Sequence, residues 1–80
     1  MQIPEIKRLA ENHSIDEISA AIEAYENENT PAIEVKGEDD GDRLTNLLGA
    51  REVLENMEAE GTPLKDALRK FTRRVRDSLA

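Results

Sequence analysis

Residues 61–79 read Gly-Thr-Pro-Leu-Lys-Asp-Ala-Leu-Arg-Lys-Phe-Thr-Arg-Arg-Val-Arg-Asp-Ser-Leu. The first three residues stop one helix and start another. Gly61 suits the left-handed backbone that closes a helix, and Thr62 is placed to cap the next. Pro63 then falls in a first turn, where its missing N–H is no loss. Leu64, Ala67, Leu68, Phe71, Val75 and Leu79 recur at intervals of three and four and form one apolar stripe. Bases border the stripe on both sides. On a wheel of about 100° per residue, Lys65, Arg69, Arg73 and Arg76 fall along one flank. Lys70 and Arg74 fall along the other, with Asp66 and Asp77 opposite the stripe.

The region before this helix is a second long amphipathic segment. Asp42 can cap it, and Leu44, Leu47, Leu48, Ala50, Leu54 and Met57 give it a broad apolar face. Further back, Ser14-Ile15-Asp16-Glu17 has the form of a capping box. The serine oxygen accepts from the third amide while Glu17 reaches back to the serine N–H. Ile15, Ile18, Ala21, Ile22 and Tyr25 share one arc of the helix that follows, which ends before Asn29-Thr30-Pro31. The first helix opens at Pro4, carries Ile3, Ile6, Leu9 and Ala10, and ends near Asn12.

Between the second and third helices, Ala32-Ile33-Glu34-Val35-Lys36 alternates apolar and polar, so Ile33 and Val35 face one way. The acidic, glycine-bounded turn Gly37–Gly41 follows. An extended piece with no second strand in the chain leaves backbone groups to satisfy. It is either irregular and solvated, or paired with the same segment of a second copy about a two-fold axis. The expected fold is therefore all-α: one domain over residues 1–80, four helices, and a short extended segment between helices two and three.

Eighty residues with 38% hydrophobic content support a thin core, and short chains often gain stability by self-association. There is no cysteine and one histidine, His13. That excludes disulfides and thiolate or histidine-rich metal sites. The opening Met1–Glu5 lacks a basic region followed by an apolar run, so no signal peptide is expected. No apolar stretch is long enough to span a membrane. A cytoplasmic location is the default, and arginine in excess of lysine suits a bacterial source.

Charge is distributed unevenly. Residues 1–61 carry five bases and sixteen acids, a net of −11. Residues 62–80 carry six bases and two acids, a net of +4, which gives −7 for the chain. One explanation is intramolecular: the basic stems cover the core and their heads pair with Glu23, Glu26, Glu52, Glu55 or Glu58. The other is an anion-binding surface formed by Lys65, Arg69, Arg73 and Arg76. Arg51 is a further candidate, because it projects within the apolar arc of helix three. It either pairs with Glu55 or Glu58 along its own helix or enters an interface.

Other sites are less favoured. The acids Glu38, Asp39, Asp40 and Asp42 lack the spacing of a calcium loop and read as a solvated turn. His13 reads as a helix-junction residue packed near Ile18. No catalytic order of Ser, His and Asp, phosphate-cradling glycine loop or zinc-binding HExxH is present, so no enzyme and no cofactor are expected. Nucleic-acid modules interleave aromatics with bases, whereas here Phe71 belongs to the core stripe and Tyr25 to another helix.

Two resemblances bear on this. Size, acidity and four helices are superficially similar to acyl carrier proteins, whose prosthetic group sits on the serine of an Asp-Ser-Leu motif opening the second helix. Asp77-Ser78-Leu79 lies instead at the far end of the chain, so no carrier function transfers. The stretches Ile3-Pro4-Glu5-Ile6-Lys7, Pro31 to Gly37, and Ala67-Leu68-Arg69 through Arg73-Arg74-Val75-Arg76 resemble a family of small bacterial helical proteins with no assigned activity. That resemblance implies no site. The expected function is a non-catalytic protein-interaction module with an unidentified protein partner or a second copy of itself. RNA or a phosphate ligand on the last helix is the alternative.

Overall fold

A computed structural model describes residues 1–79, with side chains through Ser78. It contains α1 (Ile3–Asn12), α2 (Ile15–Glu26), α3 (Asp40–Glu60) and α4 (Leu64–Leu79). No strand forms among the described residues. The 21-residue α3 is the hub, packing against α1, α2 and α4, while α4 also touches α1. The core is one cluster that includes Ile6, Leu9, Ile18, Ile22, Leu47, Val53 and Phe71. Each such side chain, fully buried, contributes roughly 1.5–3 kcal/mol.

The helix ends show why the elements begin and stop where they do. The capping box of α2 is complete: the Glu17 N–H donates to Ser14 Oγ at 3.2 Å, and the Ser14 N–H donates to Glu17 Oε1 at 3.0 Å. At the other end of α2, the Glu28 N–H donates to the Tyr25 carbonyl and the Asn29 N–H to the Ala24 carbonyl. This is a Schellman closure, in which glycine usually takes the left-handed position. Glu28 takes it here, with φ 58°. Gly61 closes α3 with φ 64°, as expected.

Two caps differ from the sequence expectation. The cap of α3 is Asp39, whose Oδ1 accepts from the Asp42 N–H at 2.8 Å. Asp42 lies inside the first turn and is used elsewhere. The Thr62 hydroxyl is buried and finds no hydrogen-bond partner among the described residues. The first carbonyl to accept in α4 is that of Pro63, from the Asp66 and Ala67 N–H groups. The Leu79 side chain, expected on the α4 stripe, lies outside the described residues.

Gly49 sits where three helices meet. A Cβ there would stand 2.8 Å from Ile6 Cδ1 of α1 and 3.1 Å from Phe71 Cζ of α4. The absence of a side chain lets both helices approach α3 at one point. Leu48, expected on the buried face, is instead 42% exposed. The two buried positions that the apolar count passes over are Gly49 and fully buried Asn46.

The segment joining α2 and α3 keeps its predicted facing: Val35 is buried and Ile33 packs partly against the core. Its backbone is met by side chains rather than by a second strand. Glu5 Oε2 accepts from the Lys36 N–H at 2.8 Å. Asn46 Nδ2 donates to the Lys36 carbonyl at 2.9 Å, and an Arg8 guanidinium N–H donates to the Glu34 carbonyl at 2.9 Å. Hydrogen bonds from α1 and α3 thus meet three of the segment's backbone groups within the chain.

Candidate interaction surface

Charged side chains gather in two places, with contrary fates. The first is a corner formed by the start of α1, the segment 34–38 and the start of α3. Glu5 is buried and holds Arg8 in a two-pronged ion pair, with Nε to Oε1 at 2.7 Å and Nη2 to Oε2 at 2.6 Å. Burial pushes the Glu5 carboxyl up. Bonds from Arg8 and the Lys36 N–H, with their charges, outweigh it and leave the carboxyl below its usual range. Fully buried Asn46 accepts from the Gln2 N–H at 2.9 Å and donates to Gln2 Oε1 at 2.7 Å.

Asp42 accepts from the Met1 nitrogen and from Gln2 Nε2, both at 2.7 Å, and from the Glu38 N–H at 3.1 Å. The bond from the Met1 nitrogen is the largest reason its carboxyl falls to about 2. The acidic turn therefore has structural work: Asp39 caps, Asp42 ties down α1, and Asp40 pairs with Arg43 at 2.9 Å. Among the described residues, no group of three or more acids or histidines gathers to hold a metal ion. At the junction of α1 and α2, His13 Nδ1 lies 3.4 Å from Glu17 Oε2.

The second place is α4, whose two flanks differ. On the flank facing α3, Lys70 pairs with Glu60 and Arg74 with Glu52. Arg74 also lies over the Phe71 ring, 5.9 Å from its centroid. On the outer flank, Lys65, Arg69, Arg73 and Arg76 are all exposed. None of the four lies within ion-pair distance of an acid among the described residues. Of the proposed counter-charges, Glu52 is used, but by the other flank. Glu60, which the sequence did not single out, takes Lys70.

Arg51 does not join either group. It is half-buried on α3 and forms no ion pair with Glu55 or Glu58 among the described residues. The expected pairing along its own helix is not made, and no hydrogen bond or ion pair joins Arg51 to the outer flank among the described residues.

At the Arg76 end of the outer flank lies an open groove of about 540 Å³ lined by Met1, Ile3, Thr72, Val75 and Arg76. Met1 is half exposed at its mouth. The groove places apolar surface against the end of the row of bases. It escaped the sequence because it is built from the two ends of the chain.

The fold and surface define a small all-α domain with one cationic helix flank beside an apolar groove. The chain belongs to a family of unknown function, DUF6952, whose model matches residues 1–80. No curated protein and no solved structure matches it. Among the described residues, no helix is long and apolar enough to cross a membrane.

Proposed function

We propose that this chain is a non-catalytic interaction module that meets an acidic partner protein through the outer flank of α4. The observation that carries this is the difference between the two flanks. The bases facing α3 have intramolecular acids, whereas Lys65, Arg69, Arg73 and Arg76 have none among the described residues. Lys65 and Arg69, then Arg69 and Arg73, stand four apart, and Arg73 and Arg76 three apart. Like charges so spaced weaken a helix by about 0.2–0.5 kcal/mol per pair. A row of bases that costs local stability and contributes no internal pair is suited to an external counter-charge.

A hollow of about 720 Å³ beside Met1, Ile3 and Pro4 bears on the non-catalytic reading. Of the charged residues that line it, Glu5 and Arg8 are bound to each other, and Lys36 and Glu38 are exposed, so no buried unpaired charge converges there among the described residues. Phe71 is buried in the core and leaves no aromatic among the outer bases for stacking, which favours a protein over RNA as the occupant of the flank. Residence in the cytoplasm of a bacterial cell belongs to the same proposal, and cell fractionation would test it.

Affinity capture with the native chain and with Arg69→Glu/Arg73→Glu tests the function. Supporting results are an acidic protein held by the native chain, released by added salt, and not held by the variant. Equal capture by both chains, or material that nuclease removes, would contradict it.

A further inference from the structure

The outer flank and the groove adjoin, and Arg76 belongs to both. Resting on the reading of the flank as the contact surface, we infer that the partner segment is an acidic amphipathic helix. Its apolar edge would lie in the groove of Met1, Ile3, Thr72 and Val75, and its acids would lie along the bases of α4. The charge pattern and the shape select this occupant together. From Lys65 to Arg76 the bases span about 16 Å at 1.5 Å per residue, roughly three turns of a partner helix. The apolar trough meets this row at its Arg76 end and suits the helix-in-groove mode, in which anchors at i, i+3 or i+4, and i+7 fill the trough. Anchors in the trough and salt links at its rim divide the work: desolvated apolar contacts hold, and rim charges steer and select.

A second copy of the chain fits this surface poorly. Two-fold packing of α4 on α4 would set Lys65, Arg69, Arg73 and Arg76 against their own equivalents. The acidic α2 of a second copy has Ile18, Ala21 and Ile22 buried in its own core and Ile15 and Tyr25 partly covered, so it brings acids with few free anchors.

The test is selection from a displayed library of randomised surface positions on a single helix, with the full chain as target. The enriched helices are expected to carry apolar residues at i, i+3 or i+4, and i+7, with Asp or Glu along one edge. A resynthesised winner should lose at least about tenfold in affinity, a loss of about 1.4 kcal/mol, against Val75→Glu and separately against Arg69→Glu/Arg73→Glu. Circular dichroism checks that each variant is folded, and Thr72→Glu replaces Val75→Glu if the latter unfolds. Acidic winners indifferent to both groove variants would overturn the helix-in-groove inference and leave the acidic-partner function standing. Winners without acids, or winners indifferent to Arg69→Glu/Arg73→Glu, would overturn both, as would no enrichment. Tighter binding of a mixed-sequence RNA oligonucleotide with the same charge dependence would also overturn both. A dimer in sedimentation that Val75→Glu dissociates would give the groove to a second copy and overturn the inference.

Discussion

The polar corner at the start of α1 and the outer flank of α4 are both rich in charge, yet they do opposite things. In the corner, Glu5, Arg8, Asp42 and Asn46 each meet named partners contributed by other parts of the chain. On the flank, Lys65, Arg69, Arg73 and Arg76 meet none among the described residues. A polar side chain that satisfies buried backbone is part of the fold, because removing it strands a donor or acceptor. One that satisfies nothing internal is available for contacts outside. Substitutions in the corner should therefore change stability, and those on the flank should change binding.

The largest effect is expected in the corner. Asn46→Ala leaves the Gln2 N–H and the Lys36 carbonyl without their partner and opens a small void. A loss of about 2–4 kcal/mol is expected in urea unfolding, from stranded groups at about 1–3 kcal/mol each with partial rescue by water. An Asn46→Ala chain as stable as the native one would break the comparison. Gly49→Ala comes next. Crowding against Ile6 and Phe71 costs about 1–3 kcal/mol, and the gain in helix propensity returns about 1. A net loss of about 1–2 kcal/mol is expected by the same measurement.

Acid should act on the corner through Glu5 and Asp42, whose carboxyls sit below their ordinary values of 4.5 and 3.8. For a carboxyl depressed by folding, the stabilisation is complete above the unfolded pKa and is lost as pH falls through the folded one. Melting temperature should thus hold steady above about pH 5 and fall progressively as pH drops toward 2. Asp42→Asn should flatten the lowest part of that fall. A profile unchanged by Asp42→Asn would separate this residue from the acid response. Glu28→Gly probes a milder feature, a glutamate at φ 58° where glycine is relaxed. Relief of left-handed strain, worth about 1–2 kcal/mol, exceeds the entropic cost of glycine, so a gain of about 0.5–1 kcal/mol is expected.

Much of the fold is local, and the sequence displays it. The Ser14–Glu17 box, Gly61 and the apolar stripes give all four helices, because each signal lies within a turn or two of its effect. Asp42 is the expected cap of α3, and the use of Asp39, three residues earlier, goes with a tertiary fit. A Cβ on Gly37 would stand 2.9 Å from the Arg43 backbone nitrogen, so the segment presses on the first turn of α3. The roles of Glu5 and Asn46 were not legible, since their partners lie 31 and 44 residues away. Only the i, i+3 spacing of Glu5 and Arg8 hinted at a pair. The α4 bases were legible as two borders, but not their inequality. That depends on which side of α4 receives Glu52 and Glu60 of α3, a matter of packing rather than of pattern.

The central claim is that the outer-flank charges are not committed to the fold, and one melting experiment addresses it directly. Lys65→Gln/Arg69→Gln/Arg73→Gln/Arg76→Gln removes the four charges together and with them the like-charge pairs along α4. The expected melting temperature is equal to the native value or a few degrees above it, since about 1 kcal/mol moves a domain of this size by roughly 4–8 °C. A fall of about 8 °C or more would contradict the claim, because it would show that these four bases hold the domain together.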